Sequence, residues 1–106
     1  LKKIECEITN KKNQVSVKGY LTNWSDQGCF VYLDEPSVLN SQVSLTVFFE
    51  GREFVESAYI ASKSSGNAGY GLKFTMQSRK ENSDIMGWWD FFEIIEQMGY
   101  EPELLT

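Results

Sequence analysis

The residues of this chain best suited to chemistry are Asn23, Ser25 and Gly28, spaced Asn-x-Ser-x-x-Gly within Gly19-Tyr20-Leu21-Thr22-Asn23-Trp24-Ser25-Asp26-Gln27-Gly28-Cys29-Phe30. Short amide and hydroxyl side chains beside a glycine offer donors and acceptors to base edges or phosphate oxygens, and the missing Cβ lets a planar ligand approach closely. The same types also build ordinary turns, in which Asn and Ser bond their own backbone and Gly supplies positive φ. Spacing alone leaves both readings open. Asn23-Trp24-Ser25 is formally a glycosylation sequon, a reading set aside for a chain expected to stay in the cytoplasm.

Covalent and acid–base chemistry finds little to work with. The chain has no His, and its two Cys, Cys6 and Cys29, fall at apolar positions of predicted strands. That removes the common zinc patterns and His-based catalysis, and both cysteines read as free, buried thiols. Asp90, Glu93 and Glu96, at i, i+3 and i+6, are the solvated side of an amphipathic helix rather than an acid pair. No nucleophile, base and orienting group assemble from these types, so neither an enzyme nor a metal or cofactor is expected. The formal charge of −5 over 106 residues argues against DNA, RNA or anionic membranes as partners, all of which need a cationic surface. No apolar run reaches the roughly 20 residues of a membrane span. The start Leu1-Lys2-Lys3-Ile4-Glu5 lacks the apolar stretch of a signal peptide, so no membrane insertion and a cytoplasmic location are expected.

The elements that must position the trio are short strands. Ile4, Cys6 and Ile8 alternate with Glu5 and Glu7, the polar cluster Asn10-Lys11-Lys12-Asn13 turns the chain, and Val15 and Val17 alternate onward to Tyr20-Leu21-Thr22. Cys29 to Leu33 form an apolar third strand closed by Asp34-Glu35-Pro36. Val43, Leu45, Val47 and Phe49 alternate cleanly up to the tight turn Glu50-Gly51-Arg52. A fifth strand runs from about Glu53 to Ser62, and after Ser64-Ser65-Gly66-Asn67 a sixth spans Tyr70 to Phe74. Short turns rule out parallel crossovers, so the expectation is an all-β fold: a six-stranded antiparallel β-barrel over residues 1–77, built of sequential hairpins, within one domain of residues 1–106.

Beyond Gln77 the period changes. Ile85, Trp88, Trp89, Phe92 and Ile95 fit helical spacing, with Ser83 as N-cap, Asp84 favourable at the positive helix end, Gly99 as left-handed cap and Pro102 beyond it, giving a C-terminal helix over 83–99. Met86, Phe91, Ile94 and Met98 widen its apolar face past one stripe. The face is expected to cap the barrel; the alternative is a partner surface, for which Trp88, Trp89 and Phe92 are the candidates.

Two stretches together resemble the PilZ domain family: the Asn23-x-Ser25-x-x-Gly28 loop is similar to its (Asp/Asn)-x-Ser-x-x-Gly motif, and Gly69-Tyr70-Gly71-Leu72-Lys73-Phe74 to the Gly-x-Gly-apolar-x-Phe end of its last barrel strand, before a C-terminal helix. The resemblance spans nearly the whole chain. It implies a receptor for the bacterial messenger cyclic di-GMP, with Asn23 and Ser25 contacting guanine or phosphate, Gly28 shaping the loop, and ligand changing contacts with another domain or a protein partner. It also implies an N-terminal Arg-x-x-x-Arg segment whose guanidiniums clamp the ligand, and here the sequence departs. The arginines are Arg52 and Arg79, neither in such a segment, and the place where it should end holds Lys2 and Lys3. The alternative that the resemblance implies is a degenerate domain that docks protein partners without nucleotide.

Overall fold

The computed structural model describes residues 3–75 and 86–99. Lys2, Arg79, Ser83, Asp84, Ile85 and Pro102, named above, lie outside them, as does the end of the expected barrel at 76–77. Six strands, β1 (Ile4–Asn10), β2 (Ser16–Trp24), β3 (Gly28–Leu33), β4 (Gln42–Phe49), β5 (Arg52–Lys63) and β6 (Gly69–Phe74), close into an antiparallel barrel, with one helix, α1 (Trp88–Gln97), beyond them. The alternation seen in the sequence is the reason for the pleat. Ile4, Cys6 and Ile8 of β1, Cys29, Val31 and Leu33 of β3, and Val43, Leu45 and Val47 of β4 all point inward and are buried. Each fully buried Val, Leu or Ile contributes roughly 1.5–3 kcal/mol.

The order around the barrel is β1-β2-β3-β6-β5-β4, which corrects the expectation of sequential hairpins at one connection. Two three-stranded meanders, β1-β2-β3 and β4-β5-β6, face each other and join along β3–β6 and β1–β4. Consecutive strands β3 and β4 are therefore opposite one another, and the segment 34–41 crosses one end of the barrel. Leu39 drops into the core there. The buried Tyr70 hydroxyl donates to the Ser37 carbonyl at 2.7 Å and accepts from the Leu39 amide at 3.4 Å, while Asn10, also buried, accepts the Asn40 amide on Oδ1 at 2.6 Å. Crossing backbone inside a barrel mouth must find such partners, because unpaired amides there cost free energy.

The β4–β5 hairpin turns on two residues, Glu50 (φ 54°) and Gly51 (φ 71°), the positive-φ pair that matches strand twist. At the other seam β5 outruns β6: their pairing covers Ala58 to Lys63, leaving the edge of β5 near its start without a β6 partner. Met86 fills part of that edge, bridging Phe54 and accepting the Val55 amide at 2.8 Å. The helix then seals the gap. Trp88, Phe91 and Ile95 are buried, with Phe91 edge-on to Phe49 (5.7 Å) and Phe54 (5.5 Å).

Helix α1 starts at Trp88, later than the expected 83. Gly87 is extended (φ −101°, ψ −171°), and the bridge at Met86 takes that residue out of the helical run. Asp90, read from sequence as part of a solvated side, instead accepts the Gly87 amide on Oδ2 at 2.8 Å; Glu93 and Glu96 are exposed as expected. Gly99 takes the left-handed cap at φ 73°, its amide bonding the Glu96 carbonyl.

Candidate ligand-binding site

Asn23 and Ser25 come to the surface at the rim where α1 packs. The β2–β3 register shifts between Leu21 and Asn23, so that Asn23 pairs with Phe30 and Trp24 with Cys29. A shift of this kind re-aims side chains, and here Asn23 and Ser25 are exposed while Trp24 leans on the core. The loop closes tightly: the Ser25 amide donates to the Gly28 carbonyl at 2.8 Å and the Gln27 amide to Ser25 Oγ at 3.3 Å.

Gly28 is needed for a reason other than positive φ. It lies in β3 opposite Lys73, and a Cβ there would stand 2.4 Å from the Leu72 carbonyl oxygen. The close backbone approach of β3 to β6 is what excludes a side chain. In the Gly-x-Gly of β6, a Cβ on Gly69 would meet the Ser64 hydroxyl at 2.7 Å and the Phe30 ring at 2.8 Å, and one on Gly71 the Ser62 hydroxyl at 2.3 Å. Phe30 in turn packs on Tyr32 (5.3 Å), and Tyr32 stacks on Tyr20 (6.1 Å).

Lys3 stands at the head of β1, just before the Ile4–Leu21 pair, with its ammonium 4.3 Å over the Tyr20 ring. It is thus beside the end of β2 that carries Asn23. A groove of about 330 Å3 lined by Lys3, Glu5, Lys18, Tyr20, Asp34 and Phe48 contains none of Asn23, Ser25 and Gly28, so groove and loop are separate features.

The three aromatic candidates part company. Trp89 (43% exposed) and Phe92 stack on each other at 5.8 Å on the outer side of α1. Trp88 does not belong with them as a surface anchor: it is 2% exposed, packs 4.4 Å from Phe74, and its indole Nε1–H donates to the Ser25 carbonyl at 2.8 Å. Sequence reasoning missed that bond and missed Lys73, exposed and opposite Gly28. Both depend on which elements meet across the barrel, for which nothing local in the chain gives a signal.

Neither cysteine is poised as a thiolate. Burial pushes the Cys6 thiol from 9.0 up to about 12, with Asp34 adding to it, and burial followed by Cys6 raises Cys29 well above the ordinary value. Both thiols are free. Among the described residues no cluster of His, Cys, Asp and Glu could hold a metal, and no helix is long and apolar enough to cross a membrane.

The structure is thus a closed antiparallel barrel, its interior filled by side chains, with a polar hairpin at its rim. The sequence model of the PilZ domain matches residues 2–88. The chain therefore belongs to the PilZ domain family, a family of cyclic di-GMP receptors. Among solved structures it is similar to the PilZ domain of CeSA from a cellulose-synthesizing bacterium, with 19% identity, 92% of each chain covered and a TM-score of 0.60; at that identity the likeness concerns the fold. No curated protein matches.

Proposed function

We propose that this chain is a cyclic di-GMP-binding signalling module that acts in the cytoplasm by changing its contacts with another domain or a protein partner when the nucleotide binds. The observation that carries this reading is the Asn23–Gly28 hairpin: a family motif whose Asn and Ser side chains are exposed, held on a backbone tight enough to exclude a Cβ at Gly28. Asn23 and Ser25 supply donors and acceptors to a guanine edge or a phosphate oxygen. Lys3, at the head of β1, and Lys73, opposite Gly28, supply positive charge for the phosphates, a role in which Lys acts as a point charge without the planar fork of Arg. Lys2 joins Lys3 in this role.

Titration with cyclic di-GMP, followed by backbone amide shifts in NMR, tests the reading. Saturable shifts at Asn23, Ser25 and Gly28, abolished by the Asn23→Ala/Ser25→Ala double variant, are expected. Absence of shifts at millimolar nucleotide would sink nucleotide binding by this chain and leave a protein-docking module, for which Trp89 is exposed and Phe92 half-buried beside it.

A further inference from the structure

The motif loop is held from behind by a residue from the far end of the chain. The Ser25 side chain faces solvent, but its carbonyl accepts the Trp88 indole N–H at 2.8 Å, across a sequence separation of 63 residues. The indole is fixed: it is buried, lies 4.4 Å from the Phe74 ring and 5.1 Å from Phe91, and its own backbone amide donates to Glu56 Oε1 at 3.2 Å. The rest of the loop is tied to the same corner, since the Phe74 amide donates to the Gln27 carbonyl at 2.9 Å.

We infer that Trp88 is a positioning residue for the nucleotide loop, and that through this one hydrogen bond helix α1 senses whether the loop is occupied. The inference rests on the receptor reading above. The indole N–H fixes the plane of the Ser25–Asp26 peptide and so the direction in which Ser25 is presented. A loop pre-set in its bound geometry has less ordering to undergo on binding. The coupling runs both ways: any free energy by which a seated α1 improves nucleotide binding is returned by the nucleotide to the seating of α1. The neighbouring Trp89 and Phe92, stacked on the outer side of the same helix, carry the change to the surface.

The test is a cyclic di-GMP titration of the 15N-labelled chain, reading backbone amides and tryptophan indole N–H signals together, on the wild type and on Trp88→Phe. Phenylalanine keeps an aromatic ring between Phe74 and Phe91 but removes the N–H donor together with one ring of the indole, so the assigned Trp88 indole signal of the wild type is read beside it. The expected result is that the Trp88 indole signal titrates with the same midpoint as the Asn23, Ser25 and Gly28 amides, and that Trp88→Phe binds about five- to tenfold more weakly, the worth of one hydrogen bond. If the loop amides titrate while the Trp88 indole stays still, or the folded variant binds as tightly as the wild type, the inference is overturned and the receptor reading survives. If no loop amide responds in the wild type, the receptor reading itself has failed and the inference falls with it. Should Trp88→Phe fail to fold, the wild-type indole signal decides alone.

Discussion

Tyr70→Phe removes one oxygen atom and leaves no cavity, which makes it a clean probe of the segment that crosses the barrel end. The hydroxyl donates to the Ser37 carbonyl at 2.7 Å and accepts the Leu39 amide at 3.4 Å. The shorter bond dominates, with a net worth of about 1 kcal/mol. Ser37 is half-buried, so its carbonyl regains water, whereas the Leu39 amide belongs to a buried residue and loses a weak partner without replacement. The sum is a loss of roughly 1–2 kcal/mol, with each kcal/mol moving the thermal midpoint of a chain this size by about 4 °C. Calorimetry should therefore show a midpoint about 4–8 °C lower, and hydrogen exchange should show faster exchange at Leu39 with the β1–β2 amides unchanged. A midpoint within 1 °C of wild type, with Leu39 still protected, would refute the view that Tyr70 pins the crossing segment.

Two further perturbations probe the core. Gly28→Ala places a Cβ 2.4 Å from the Leu72 carbonyl, a clash between two backbones that no rotamer relieves, and should cost about 1–3 kcal/mol in urea unfolding; an unchanged midpoint would show that β3 and β6 separate freely. Cys6 and Cys29 should resist iodoacetamide at pH 8 in the folded chain and react on unfolding. The unfolded thiols lose their protons as pH rises past 9.0 while the folded ones keep theirs, so stability should hold below that pH and fall above it, on the order of 1 kcal/mol per pH unit for each thiol, until Cys6 itself ionises near 12. Labelling of the native chain at the unfolded rate would contradict this.

The parts of the fold legible in the sequence were those that chain neighbours decide. The β1–β2 hairpin follows from alternation around a polar turn, and the β4–β5 turn from Glu50-Gly51. The crossing over the barrel end was not legible, because short strands in this number close equally well as a meander or as paired meanders; of the two adjacent aliphatic residues in the connection, Val38 is exposed and Leu39 buried, and nothing local distinguishes them. The helix start was misread because Met86 sits at helical spacing but spends its carbonyl on Val55. Ser83 lies outside the described residues, and the N-cap of α1 is Gly87 rather than the expected Ser83. At the candidate site, Asn23, Ser25 and Gly28 stood out through their pattern. The physical reason for Gly28, the burial of Trp88 and the nearness of Lys73 come from β3–β6 pairing and helix docking, contacts between segments far apart in sequence.

Pairing two meanders also determines how the barrel must form. Each three-stranded half zips from its own short turns, but neither can bury its apolar side alone, and the β1–β4 and β3–β6 seams close only when both halves are present. Closure is then a docking step between preformed sheets, of the slow, non-local kind that dominates folding times in β-rich domains. The crossing segment acts as a tether that raises the local concentration of one half near the other. Cut at Glu35, the two pieces should still find each other and rebuild the barrel, now at a rate proportional to concentration.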